Sequence, residues 1–125
     1  MEGYNVTIKE SSKVITARER VMLKDTGNAI KLDEACTADS PLILEPDYYA
    51  ILDIHNEKSD NVDYQNYVVV DKSGTKYVTG SPSFWNSFKQ ICDEMEAEEE
   101  PYSIQVYKME SKNYKGKMFL TCSMV

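Results

Sequence analysis

Tyrosines and lysines that fall close together in the second half of the chain are the side chains best suited to chemistry. The chain has nine tyrosines, and Tyr114 lies between Lys112 and Lys115. Aromatic faces stack on flat heterocycles and ammonium groups neutralise phosphates, so the pattern indicates a surface for a planar, anionic ligand. Tyrosine is also a common strand residue, and any one ring could simply pack. The residues that could form this surface are Lys58, Tyr64, Tyr67, Lys72, Lys76, Tyr77, Lys112, Asn113, Tyr114, Lys115 and Lys117.

Catalytic and metal-binding patterns are sparse in comparison. His55 is the only histidine, and no serine or cysteine forms a recognisable arrangement with it and an acid. The sequence contains no CxxC, HExxH or EF-hand spacing. Ser73-Gly74-Thr75 has one glycine, whereas a phosphate-binding loop needs two spaced glycines. We therefore expect no catalytic residue, no metal and no cofactor, and a small hydrolase or transferase is the least favoured class.

The cysteines and the apolar pattern indicate a compartment. Cys36, Cys92 and Cys122 are odd in number and far apart, so they predict reduced, mostly buried thiols rather than a disulfide framework. No apolar run has the length of a membrane span. The opening residues lack the basic and apolar regions of a signal peptide. We expect a cytoplasmic protein.

Charge is distributed unevenly along the chain. The net charge is −7, yet residues 93–100 hold six acids and no base, while residues 102–125 hold four lysines against Glu110. One interpretation is an anionic back and a cationic face, and the other is a solvated helix end with ordinary surface lysines. The distribution decides between them, because net charge alone does not exclude an anionic partner. The acidic segment could also contact another protein.

Two hairpins and one helix organise residues 46–125. Tyr64–Val70 and Thr75–Thr79 flank a glycine-containing turn, and Tyr102–Lys108 and Lys117–Ser123 flank a longer loop. Between them, Ser81-Pro82 predicts an N-cap and the first helical position. The apolar stripe of this helix consists of Phe84, Phe88, Ile91, Cys92 and Met95, and Pro101 ends it. Trp85 lies beside the stripe, and we expect it to pack in the core.

Together with a strand at Tyr48–Ile54, these elements run strand, strand, strand, helix, strand, strand. That is the element order of the OB-fold, a small barrel. We therefore predict a mostly-β chain with one helix, an OB-like barrel at residues 46–125 and an N-terminal β extension at residues 1–45, all in a single domain of residues 1–125. In an OB-fold the second and third strands, with the first and last hairpin loops, form the binding face. The tyrosines and lysines named above fall in those regions.

The first 45 residues predict short strands. Tyr4–Ile8 and Asn28–Leu32 alternate between apolar and polar residues, and two prolines keep Leu42–Leu44 extended. Lys13–Leu23 is strand-like, although residues 18–24 could also form a helical turn. Residues 33–40 are polar and small, which favours a loop or a short helical turn.

Two runs carry a family resemblance. Tyr77-Val-Thr-Gly-Ser-Pro-Ser-Phe-Trp-Asn-Ser-Phe88 and Ser111-Lys-Asn-Tyr-Lys-Gly-Lys-Met-Phe-Leu-Thr-Cys122 resemble small single-stranded-DNA-binding proteins of bacteriophages and mobile elements of Gram-positive bacteria. The resemblance covers about residues 45–125. It implies a non-enzymatic protein of the bacterial host cytoplasm that coats unwound DNA by stacking and charge. By the resemblance, the residues involved are Lys72, Lys76, Tyr77, Lys112, Tyr114, Lys115 and Lys117. The sequence lacks the glycine-rich linker and acidic tip of cellular single-strand binders, which puts tail-mediated recruitment in doubt.

These observations predict sequence-tolerant binding of single-stranded DNA in replication or recombination, by base stacking and lysine–phosphate contacts. The alternative is a small acidic protein that binds and inhibits a host protein, with its carboxylates mimicking DNA. Self-assembly through an edge strand, and contact of residues 93–100 with replication proteins, are open possibilities.

Overall fold

The computed structural model describes residues 4–12, 16–25, 29–36, 40–58, 60, 62–98, 102–110 and 117–125, with residues 4 and 96–98 described by their backbone alone. The chain divides into two compact units. The first unit comprises residues 1–30 and 47–80, and the second comprises residues 31–46 and 81–125.

A five-stranded sheet with the order β1-β4-β5-β6-β2 organises the first unit. Its strands are β1 (Tyr4–Ser11), β2 (Ile30–Lys31), β4 (Pro46–Asn56), β5 (Asp63–Asp71) and β6 (Lys76–Thr79). Strand β1 pairs antiparallel with β4, from Tyr4 opposite Asn56 to Ser11 opposite Ala50. The register shifts between Ile8 and Glu10, which marks a β-bulge in this edge strand.

One face of this sheet carries the core of the first unit. The core residues are Leu23, Tyr48, Ala50, Leu52, Ile54, Val68, Val70 and Val78, with Val6, Ile8, Ala29 and Tyr64 packed against them. Alternate residues of each strand point to the same face, so β4 and β5 contribute their even-numbered positions. Burial of each large apolar side chain stabilises the fold by roughly 1.5–3 kcal/mol.

Helix α1 (Ala17–Lys24) replaces the strand predicted at Lys13–Leu23, so the helical alternative for residues 18–24 is the correct one. A capping box begins the helix: the Glu19 amide donates to Thr16 Oγ1 at 3.2 Å, and the Thr16 amide donates to Glu19 Oε1 at 3.0 Å. Leu23 is the buried residue of this helix. Local capping and the burial of Leu23 outweigh the strand preference of the β-branched residues before the helix.

A three-stranded sheet with the order β3-β7-β8 organises the second unit. Its strands are β3 (Leu42–Leu44), β7 (Ile104–Glu110) and β8 (Met118–Met124), and the unit also holds helices α2 (Leu32–Ala35) and α3 (Pro82–Glu98). Both strand pairs are antiparallel, with Leu42 opposite Val106 and Val106 opposite Cys122. The predicted second hairpin is confirmed.

Helix α3 starts where the sequence predicts. The Phe84 amide donates to Ser81 Oγ at 3.3 Å, which is the hydrogen bond of an N-cap. Phe84 and Phe88 are fully buried and stack with ring centroids 5.4 Å apart. Trp85 is buried and packs on Phe88 at 5.5 Å, as expected for a core residue.

Two serines of α3 fix the helix to strand β8. Ser83 Oγ donates to the Leu120 carbonyl at 2.7 Å, and the Ser87 and Thr121 hydroxyls lie 3.2 Å apart. Each bond joins residues more than 30 positions apart and satisfies a polar group at a packed surface. The edge of β8 is therefore covered by the helix.

The cysteines are free and buried, as predicted. Burial raises the pKa of the Cys122 thiol to about 12, and the nearby Cys92 adds to the rise. The pKa of Cys36 is also raised, first by burial, while Lys108 opposes the rise. Cys122 is therefore a protonated, unreactive thiol at neutral pH.

The fold is mostly β, as predicted, but it departs from the expected barrel. In the described part of the chain the two sheets form no closed barrel, and three helices are present instead of one. Of the strand predicted at Asn28–Leu32, the described residues 29–32 form a strand only at Ile30–Lys31, because Leu32 begins α2. The single-domain organisation stays a prediction. Among the described helices, none is long and apolar enough to cross a membrane.

Candidate nucleic-acid interface

The β5–β6 hairpin carries most of the tyrosines that the sequence selects. Tyr64 packs against the core of the first unit. Tyr67 lies opposite Thr79, and Tyr77 lies opposite Val69, so both rings share the other face of the sheet. Both are half-buried, and burial raises the pKa of the Tyr77 hydroxyl, with a smaller effect from Asp71. Tyr67 and Tyr77 therefore place two partly exposed rings on one face of the hairpin.

Lys76 is engaged by helix α1. Its Nζ donates to the Met22 carbonyl and, at 2.5 Å, to the Asp25 carbonyl. The last carbonyls of a helix have no partner within the helix, and a cation there also complements the helix dipole. The Lys76 amine, which the sequence predicted to contact phosphate, therefore caps the C-terminal end of α1 instead.

Two other selected lysines are exposed in turns of the first unit. Lys72 lies in the β5–β6 turn, where Gly74 takes a positive φ of 92° and the Ser73 amide donates to Asp71 Oδ1 at 2.8 Å. Lys58 follows β4, and its amide donates to Asn56 Oδ1 at 3.1 Å. The structure thus holds the backbone of both turns and leaves the lysine side chains exposed.

The last part of the selected surface falls mostly outside the described residues. This applies to Lys112, Asn113, Tyr114 and Lys115, which belong to the segment between β7 and β8. Lys117 is described and is exposed immediately before β8. Of the acidic segment 93–100, Asp93 and Glu94 are exposed, and Asp93 Oδ1 lies 3.2 Å from Lys89 Nζ.

The β7–β8 pair exposes an aromatic and apolar face that the sequence analysis missed. Ile104 and Val106 point to the buried face, so Tyr107 and Met109 point to the other. Phe119 lies opposite Met109 on β8 and diagonal to Tyr107. Met109 is 46% exposed, and both rings are partly exposed. We call Tyr107, Met109 and Phe119 the aromatic face.

Other side chains frame this face. Thr121 lies opposite Tyr107 but is buried and bonded to Ser87, so α3 covers that position. At the other end, Gln105 Nε2 donates to Ser123 Oγ at 3.1 Å, next to the exposed Ile43. The open part of the face therefore runs from Ile43 to Phe119. The alternation of Ile104 and Val106 was the available signal, because it places Tyr107 on the opposite face.

A second candidate site is a polar depression of about 470 Å³ in the first unit. Its lining consists of Asn5, Thr7, Asp53, Ile54, His55, Asp63, Tyr64 and Gln65. His55 Nδ1 lies 2.8 Å from Asp63 Oδ1, and Nε2 lies 3.7 Å from Glu57 Oε1. Gln65 Nε2 donates to Asp53 Oδ1 at 3.0 Å.

The carboxylates determine what this depression can hold. The hydrogen bond to Asp63 raises the pKa of His55, and Glu57 contributes further. The site can keep a proton on the imidazole or attract a cationic group, and it repels phosphate. Within the described residues, no three histidine, cysteine or acidic side chains are placed to hold a metal ion.

Comparison with family models, curated proteins and solved structures found no match to the chain. The aromatic face and the depression around His55 are therefore the two candidate binding sites of the protein.

Proposed function

We propose that the protein binds single-stranded nucleic acid, with little dependence on sequence, through the aromatic face of β7–β8. The observation that carries this proposal is the placement of Tyr107, Met109 and Phe119 on one open face of an antiparallel pair. The segment that joins the two strands has Lys112, Tyr114 and Lys115 in its sequence. Stacking rings beside ammonium groups are the usual means of holding an unpaired strand.

Stacking on the two rings of the aromatic face can contribute several kcal/mol to the binding free energy. Stacking is worth about 1–3 kcal/mol per base, so two rings can supply about 2–6 kcal/mol. Lysine–phosphate contacts then add a contribution that falls as salt rises, because each contact releases counterions. Stacking needs unpaired bases, so a single strand should bind better than a duplex. The mechanism requires no catalytic step.

Family membership and topology form part of the proposal. From β4 to β8 the chain keeps the element order of an OB-fold, three strands, a helix and two strands. The resemblance of residues 45–125 to phage and mobile-element single-strand binders agrees with that order. We therefore favour an OB-related protein that acts on unwound DNA in a bacterial cytoplasm. Self-assembly and replication partners at residues 93–100 stay predictions.

The test is fluorescence anisotropy of a labelled oligo-dT of roughly 30 bases, a length above the usual site size of one OB-fold. We expect Tyr107→Ala with Phe119→Ala to weaken binding at every salt concentration. Tyr107→Phe keeps the ring and should bind like the wild type. Circular dichroism and thermal melts confirm that each variant folds. Equal affinity of the double variant and the wild type would show that the aromatic face is not the site.

The depression around His55 favours a second candidate function, the binding of a basic protein. Asp53, Asp63 and Glu57 lie on or beside it, in a chain of net charge −7. A lysine or arginine side chain of a partner fits this charge. Titration of an arginine-rich peptide, followed by NMR of the His55 ring, should show binding that Asp53→Asn with Asp63→Asn removes. Unchanged spectra would dismiss this candidate.

A further inference from the structure

Helix α1 concentrates positive charge on an acidic chain. Within Ala17–Lys24 it has three bases, Arg18, Arg20 and Lys24, and all three are exposed. Its one acid, Glu19, accepts the Thr16 amide in the capping box. Arg20 and Lys24 are four residues apart, so they are neighbours on the helix surface and their charges can act on one anion.

Lys76 extends this charge from the helix to the β5–β6 hairpin. Because its Nζ bonds the Met22 and Asp25 carbonyls, the start of β6 is held at the end of α1, next to Lys24. The turn that precedes β6 carries the exposed Lys72. The bonds of Lys76 therefore bring the start of β6, four residues after Lys72, to the C-terminal end of α1.

Two exposed apolar side chains accompany the cations. Val21 is 69% exposed and Met22 is 53% exposed, and Arg18 lies on the same face of the helix because residues three and four apart are neighbours. In a single strand, the phosphates can pair with the cations and the faces of the unpaired bases can contact the apolar side chains. A duplex exposes its phosphates but keeps the faces of its bases stacked.

We propose that α1 and the β5–β6 turn form a phosphate-binding surface for single-stranded nucleic acid, made by Arg18, Arg20, Lys24 and Lys72 and held together by Lys76. This proposal rests on the proposed function and adds to it a contact in the first unit. The aromatic face supplies stacking in the second unit. The α1 surface adds phosphate contacts whose contribution to the affinity falls as salt rises.

The test is the salt dependence of oligo-dT binding by Arg18→Gln with Lys24→Gln. Loss of two phosphate contacts should make the negative slope of log K against log salt shallower by about 1.4. Between roughly 50 and 200 mM salt, wild-type affinity should then fall about sevenfold more than that of the variant. The matched control is Lys31→Gln with Lys89→Gln, which makes the same charge change outside α1 and should keep the wild-type slope.

The results that would contradict the α1 surface also show whether the aromatic face is still supported. An unchanged slope in the α1 variant, or an equal loss in the control, overturns the α1 surface while leaving the aromatic face in place. If the α1 variant changes the sedimentation coefficient of the free protein but not the slope, the helix contacts a second copy instead, which also overturns the proposal. A wild-type protein that binds no oligonucleotide at any salt overturns both this inference and the proposed function.

Discussion

Leu23 is the buried apolar side chain that holds helix α1 to the first unit, and Leu23→Ala tests that attachment. Leu23 is fully buried in the core beside β4 and β5. The substitution removes three carbons, each worth about 0.8 kcal/mol of burial, so the transfer cost is about 2.4 kcal/mol. A rigid cavity would raise the total toward about 5 kcal/mol.

The length of α1 decides between these two values. A helix of eight residues is marginal on its own in water. When its anchor is lost, the helix can leave the sheet rather than maintain a cavity, and undocking limits the cost. We therefore expect local opening of α1 to become easier by about 2 kcal/mol.

Native-state hydrogen exchange measures this opening directly. The Arg20 amide donates to the Thr16 carbonyl at 3.0 Å, and the Asp25 amide donates to the Val21 carbonyl at 3.2 Å, so both report on the helix. In Leu23→Ala both amides should exchange about 30-fold faster, the factor that corresponds to 2 kcal/mol.

Val21→Ala is the matched control, because Val21 belongs to the same helix and is 69% exposed. Its effect should stay within about 0.5 kcal/mol, or less than about threefold in exchange. Equal acceleration in the two variants would show that burial of Leu23 does not hold the helix. An unchanged rate in Leu23→Ala would refute the reasoning in the same way.

Two further predictions concern a titrating group and a helix cap. The hydrogen bond to Asp63 raises the pKa of His55, so its stabilising effect is complete below the unfolded value of about 6.5 and is lost as pH rises through the higher folded value. NMR titration should show a lower pKa of His55 in Asp63→Asn, and an unchanged titration would exclude that bond as the cause. Ser81→Ala removes the N-cap of α3 and should cost about 1 kcal/mol in urea unfolding, whereas Ser81→Asp keeps an acceptor and most of the stability.

Local chemistry made the hairpins and the long helix predictable. A turn at Asp71–Gly74 with positive φ at Gly74 needs a glycine, and the sequence has one there. Ser81-Pro82 marks the start of α3 by capping and by the fixed φ of proline. The start of helix α1 could have been predicted from a capping signal as well, because Thr16 and Glu19 have capping-box spacing. The β-branched residues before it favoured a strand and hid that signal.

Contacts between distant segments account for what the sequence did not reveal. Strand β3 pairs with β7 far along the chain, and this places β3, β7 and β8 in a sheet of their own instead of a barrel. The bond from Lys76 to the end of α1 also joins residues more than 50 positions apart. No local periodicity encodes either contact. Residue type alone therefore selected Lys76 for phosphate, while its actual neighbours give it a structural role.

The net charge of −7 does not decide between a nucleic-acid and a protein partner, because screening makes local charge dominant. At about 0.1 M salt, exposed charges more than about 10 Å apart hardly interact. A phosphate at α1 is therefore governed by Arg18, Arg20 and Lys24, and a cation at the depression by Asp53 and Asp63. Salt weakens both kinds of binding, so a salt effect alone does not identify the partner. The direction in which affinity changes on neutralising Asp53 and Asp63 does identify the partner. Asp53→Asn with Asp63→Asn should weaken binding of a basic peptide, because it removes attraction, but it should not weaken binding of an oligonucleotide, because it only reduces repulsion.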